Sequence, residues 1–268
     1  MRQLVLQNAR RALRGKYSPS AAIALLQAGL ILLFVSIVKA FHSIPELVVF
    51  APVAPATLGI YAGVAVLFLL SVLPLHMGAL RWFYKLSAGE SPDFIEVFDF
   101  FASFSRLRRA VLLQVRVGFQ VASAVALSQM PAALMIFALR RNLGQTKGLQ
   151  ALWLAGGMAL AVLLGLLFLL LAVIWCMRYL PAFFLMANSP DMSVNVAIRQ
   201  GVQLTNKQRV ELLLLELSLM GWRLLCLLGL PALISVPVIQ TTRGLAVRVL
   251  IARAKELNDK ADTSQANA

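Results

Sequence analysis

The chain has 268 residues, of which 60% are apolar and 13% charged. That is about half the charge of an ordinary soluble domain, and a water-surrounded fold could not hide so much apolar surface. The formal net charge of +14 comes from 25 Lys and Arg residues, but these stand mostly in blocks beside apolar runs. This is the arrangement of cytoplasmic retention, and it excludes nucleic-acid binding, which needs a solvated basic surface interleaved with aromatics.

Residues 1–17 carry Arg2, Arg10, Arg11, Arg14 and Lys16, with Leu4, Leu6, Ala9 and Leu13 at near-helical spacing. The pattern predicts an amphipathic helix on the cytoplasmic membrane surface. Residues 18–254 are the predicted transmembrane domain, and 255–268 a polar tail. Ser18-Pro19 predicts a capped start for a first spanning helix, Ala21 to about Ile44. Pro45, Pro52 and Pro55, with Glu46 and no basic residue, then read as an external connection. A second span, Leu58 to about Lys85, has Gly59 and Gly63 placed for close backbone approach and ends on Arg81, Trp82, Tyr84 and Lys85, an interfacial signature. It begins too late, and is too long, for a cleaved secretory signal.

Ser91-Pro92-Asp93 predicts a capped surface helix with Phe94, Val97, Phe98, Phe101 and Phe104 on one face and Glu96, Asp99, Ser103 and Arg106 on the other. A third span runs from the Arg106–Arg109 cluster to about Leu139, bent at Pro131. Arg140, Arg141 and Lys147 then join Lys39 outside, outnumbered by the inner charges. The fourth span starts near Leu149, offers Gly157, Ala161 and Gly165 to a neighbouring helix, and is long enough to project past the bilayer. Asp191 to Asn206 forms a second surface segment, with Val194, Ile198 and Val202 aligned and Lys207 and Arg209 closing it. A fifth span covers Val210 to about Leu230, and Gly229 with Pro231 turns the chain into a sixth from Ala232 to about Ala252. The competing arrangement is one bent helix from Val210 to Ile239; Arg253, Lys255 and Lys260 favour six helices, because six keep these residues inside.

Ser91-Pro92-Asp93 recurs as Ser189-Pro190-Asp191, each after a helix ending in arginine and aromatics and before a basic cluster. The halves, about 58–140 and 149–250, read as pseudo-repeats. Alignment of the clusters sets Arg109 opposite Arg209 and Arg116 opposite Glu216.

Tyr179, Pro190, Asp191, Ala197, Ile198, Lys207, Leu217-Ser218, Gly221-Trp222 and Pro237 together resemble the C-terminal signature of a bacterial integral membrane family, domain of unknown function 975. Ala9 to Lys16 resembles its N-terminal stretch. Gly201, Asn206 and Val238 depart from it where serine, glycine and an aromatic are expected. The resemblance implies a multi-pass inner-membrane protein and lends no catalytic residue.

The remaining candidates are polar groups out of place in lipid. Arg116 in the third span carries an insertion cost of about 2.5 to 3.5 kcal/mol. Arg109, Arg116, Gln120 and Ser123 share a face, and Glu216 or Glu211 on the fifth span is the natural partner. An Arg116 to Glu216 ion pair is therefore expected, with separate snorkelling of the two groups as the alternative. Arg223 lies two turns beyond Glu216, to line a solute path or to reach headgroups. His42 and His76 lack companions for a metal site, Ser218 lacks a base, and no phosphate loop appears. Cys176 and Cys226 read as packing residues. No cofactor, metal or catalytic group is expected. The sequence predicts an all-α polytopic bundle of about six spanning helices and two cytoplasmic-side interfacial helices. Its reading is a non-enzymatic organising or accessory component contacting anionic lipids, with the N-terminus cytoplasmic. The alternative is a small-solute or ion transporter using Arg116, Glu211, Glu216 and Arg223. A wet mid-membrane cavity at Glu216 and Arg223 favours transport, and a dry bundle with both groups paired favours the organising role.

Overall fold

The computed structural model describes residues 2–42, 55–140, 149–206, 208–226, 229 and 231–266. Pro45, Glu46, Pro52, Arg141, Lys147 and Lys207 lie outside the described residues. Within these bounds the chain is helical and has no strand. Its α-helices are α1 (Arg2–Leu13), α2 (Tyr17–His42), α3 (Pro55–Ser87), α4 (Phe104–Arg140), α5 (Leu149–Cys176), α6 (Leu180–Asn188), α7 (Val194–Leu204), α8 (Arg209–Ser218), α9 (Met220–Cys226) and α10 (Ala232–Ala266). A 3₁₀ helix (Phe94–Phe101) precedes α4, and a 3₁₀ turn (Met177–Tyr179) joins α5 to α6.

Five helices among the described residues are long and apolar enough to cross a bilayer: Tyr17–Ala40, Gly59–Ser87, Phe104–Leu139, Leu152–Asn188 and Ala232–Glu256. The expected fifth span over 210–230 is instead broken at Leu219. The Ser218 hydroxyl donates to the Leu215 carbonyl at 2.6 Å, a back-bond of the kind that bends helices. Helical hydrogen bonds still cross the break, from Leu219 N–H to Leu215 O and from Arg223 N–H to Leu219 O. Gly229, at φ 77°, supplies the left-handed residue of a reversal. It replaces the single bent helix considered from sequence. α8–α9 then runs antiparallel to α10: Glu211 meets Arg253, and Glu216 meets Arg243.

The helices gather on α10, which packs against α1, α2, α3 and α9. Its apolar window is 56% buried, against 6% for α4 and 11% for α2 and α5. The core lies toward the ends bearing Arg81, Arg106 and Arg178. One cluster there joins Tyr84, Phe100, Leu113, Tyr179, Phe184 and Val247; the other joins Leu13, Ile23, Trp82, Phe83, Val97 and Val238. Much of the remaining length of α2, α4 and α5 exposes Leu, Val and Phe, the surface that lipid covers.

Several local expectations change. In α1 the buried stripe is Val5, Ala9 and Leu13 while Leu4 is exposed, so this helix packs against α10 rather than resting on lipid through Leu4. α2 begins at Tyr17, which puts Ser18-Pro19 inside its first turn. The segment after Asp93 winds at three residues per turn, so its side chains fall in three columns. Val97 and Phe100 are buried; Ile95, Phe98 and Phe101 are exposed. Glu96 and Asp99 turn inward to Lys85 and Arg81 at 2.6 and 2.7 Å. The 3.6-residue reading had merged the first two columns. The N-cap is Asp93 in the first Ser-Pro-Asp copy and Ser193 in the second, and neither side chain makes a capping hydrogen bond.

Close approach is achieved by different glycines from some of those expected. Gly157 and Gly165 do seat α4: an added Cβ would stand 3.2 Å from Leu139 Cδ1 and 3.1 Å from Ala132 Cβ, respectively. Gly59 and Gly63 have nothing within 4 Å. The tightest position is Gly78, where a Cβ would fall 1.8 Å from the Val97 carbonyl oxygen. The 3₁₀ helix is docked into the space that this missing side chain leaves.

Candidate functional site

The α8–α9 and α10 hairpin concentrates the charged residues singled out from sequence. Glu216 is 4% exposed, and it faces α10 from the turn before the break. Arg243 grips it with two hydrogen bonds, Nε to Oε1 at 2.7 Å and Nη2 to Oε2 at 2.8 Å. This planar, two-pronged pairing is the strong form of an Arg–carboxylate contact. Arg223, one break and two turns further along, also donates to Oε2. A single buried carboxylate is therefore held between two guanidiniums, and the cluster carries a net positive charge. Glu211 pairs with Arg253 at 3.3 Å near the open end of the hairpin.

The expected Arg116 to Glu216 pair is not formed. Arg116 is exposed on α4 and donates to Asn195 Oδ1 at the start of α7. The reason is topological: α7 docks beside α4, whereas the hairpin presents Arg243 to Glu216 from the neighbouring antiparallel strand of helix. Arg243 lies inside the predicted sixth span. It is the counter-charge that makes Glu216 tolerable. His76 lies 3.5 Å from Gln27 through Nδ1, a contact between two spanning helices.

The second Ser-Pro-Asp copy forms a separate polar junction. Asp191 accepts from Arg106 Nε and Nη2 at 3.4 and 3.3 Å and from Arg109 at 3.4 Å. Arg109 also donates to the Pro190 carbonyl at 3.3 Å. The Arg106 hydrogen bonds, followed by the charge of the same guanidinium, hold the Asp191 carboxyl below its usual range. In the first copy Trp82 Nε1 donates to the Pro92 carbonyl at 3.2 Å, so each proline carbonyl is taken by a different donor.

The other signature positions are divided between packing and open surface. Tyr179 is buried beneath Arg178. Ser218 makes the back-bond at the break, and Trp222 lies under the Arg10 guanidinium, 5.5 Å from its ring centre. An added Cβ at Gly221 meets nothing within 4 Å, and Pro237 is inside α10. Cys176 and Cys226 are free thiols. In Glu216 and in Asp191 alike, both carboxylate oxygens are taken by guanidinium groups.

Long apolar helices with their surfaces bare, gathered at one end by ion pairs and aromatics, define a membrane-embedded helical protein. The chain belongs to a family described as Protein of unknown function (DUF975), whose model matches residues 2–252. No match was found among curated proteins or among solved structures.

Proposed function

We propose that the protein is a non-enzymatic organising or accessory component of the cell's inner membrane that meets anionic phospholipids through its basic face. The observation that carries this reading is the state of Glu216: buried, with both oxygens taken by Arg243 and Arg223. A transport path needs such a group to exchange partners with solute or water, whereas a fixed counter-ion holds helices together. The exposed cations Arg10, Arg11, Arg14 and Arg108 suit contact with a negatively charged leaflet at about 1 kcal/mol each. In this reading the N-terminus and the end of α10 are both cytoplasmic.

The test is to excise the full-length protein from native membrane with its surrounding lipid and identify what accompanies it. Enrichment of anionic phospholipid over the bulk membrane, together with a stoichiometric protein partner, is expected. Bulk lipid composition combined with saturable solute flux in proteoliposomes, abolished by Glu216→Gln, would overturn the reading in favour of transport.

A further inference from the structure

A cavity of about 700 Å³ opens between α4 and α5, with a polar and an apolar end. Gln120, Ser123, Arg178 and Tyr179 stand at one end, and Leu127, Ser128 and Phe168 line the other, where the Ser128 hydroxyl is spent on the Val125 carbonyl at 2.7 Å. Arg178 is fixed from two sides. Its Cζ lies 3.3 Å from the Trp175 ring centre and 4.7 Å from that of Tyr179, and it donates to the Tyr179 hydroxyl.

The Arg178 charge here is unspent. None of the salt bridges among the described residues involves Arg178, while its Nε and Gln120 Oε1 are closed off from the groove without a partner. A guanidinium left without a counter-charge at the edge of the hydrocarbon favours an anion beside it. The Ser123 hydroxyl donates to the Phe119 carbonyl at 2.7 Å, which leaves its oxygen able to accept.

Position narrows the class of ligand. α4 has 37 residues, about 55 Å at the usual helical rise, whereas the hydrocarbon core is about 30 Å thick. Counted back from Arg140, that core ends at about Gln120, the level of the polar end. Trp175, Arg178 and Tyr179 supply the aromatic and basic marker of the same interface. The cavity therefore straddles the boundary between headgroups and acyl chains.

We propose that this groove seats one anionic glycerophospholipid, with its phosphate on Arg178, a headgroup hydroxyl or bridging water on Gln120 and Ser123, and an acyl chain along Ala124, Leu127 and Phe168. The site deepens the lipid-contact reading above, but stands on α4, α5 and the 3₁₀ turn that follows α5, away from the exposed cations Arg10, Arg11, Arg14 and Arg108.

The experiment uses the full chain, delipidated in detergent and titrated separately with phosphatidylglycerol, phosphatidylcholine and inorganic phosphate, with bound molecules counted by native mass spectrometry. One phosphatidylglycerol should be retained at least tenfold more tightly than phosphatidylcholine, and phosphate alone should not be retained. Arg178→Gln should weaken phosphatidylglycerol by about tenfold and phosphatidylcholine little, as loss of a charge-assisted contact predicts. Ala124→Trp, which fills the groove and leaves Arg178 in place, should weaken both lipids and serves if Arg178→Gln does not fold. Equal retention of the two lipids by the unaltered protein, or unchanged retention in Ala124→Trp, would overturn the site. Neither outcome touches the native-membrane enrichment test, so failure of the groove and failure of the organising role are separately visible.

Discussion

At the scale of single residues, Glu216 and Asp191 mark two extremes of what an ion pair does. Glu216 is buried, and its removal leaves Arg243 and Arg223 without their counter-charge. Glu216→Ala is therefore expected to cost about 3–5 kcal/mol, whereas replacing the pair as Glu216→Leu with Arg243→Met costs much less, because breaking a buried pair is worse than removing it whole. Denaturant unfolding of the three proteins in one detergent checks this, and equal losses would contradict it. Asp191 is exposed, and its effect shows in pH dependence. Arg106 lowers its folded-state carboxyl, so its contribution is present above the unfolded value of about 3.9 and disappears as pH falls through the lower folded value. The thermal midpoint difference between the unaltered protein and Asp191→Asn should hold constant from neutral pH to about pH 5 and shrink below about pH 4. A difference that grows on acidification would reverse the sign of the linkage.

At the scale of elements, contacts are decided by missing side chains as much as by apolar ones. Gly78→Ala would place its Cβ on the Val97 carbonyl, with no flexible atom to yield, so the 3₁₀ helix must shift; the expected loss is about 1–3 kcal/mol or more. Gly63→Ala, in open space, should instead be close to neutral or mildly stabilising. Thermal stability of the two variants separates the positions. Sequence made some of this legible. Uncharged length located α2 to α5, because hydrocarbon thickness is a strong constraint, and the small face of Gly157, Ala161 and Gly165 pointed to a seated neighbour. It could not rank glycines, since spacing alone does not say which lies under another backbone, and Gly78 went unremarked. Nor did it show the 3₁₀ winding: two periods differing by 0.6 residue per turn are barely distinguishable over the eight residues Phe94–Phe101. The charged residues of the hairpin were visible, but their pairing depended on which helix stands beside which.

At the scale of the molecule, five long apolar helices alone would leave the two termini on opposite sides. The α8–α9 and α10 hairpin alters that expectation, because Glu211–Arg253 brings its entry and exit to one end. Cysteines introduced singly at Gln3 and Lys255 should accordingly react with a membrane-impermeant reagent from the same side in sealed vesicles, both from the cytoplasmic face. Labelling from opposite faces would contradict the hairpin topology. The bare flanks of α4 and α5 have one more consequence. With only 6% and 11% of their apolar windows enclosed, these two helices can lean together when the surrounding membrane thickens or thins, and the aromatic cluster at their base need not be rebuilt. Hydrophobic mismatch is thereby absorbed as tilt, at a fraction of a kcal/mol per ångström, which makes membranes of unequal thickness accessible to one and the same packed base.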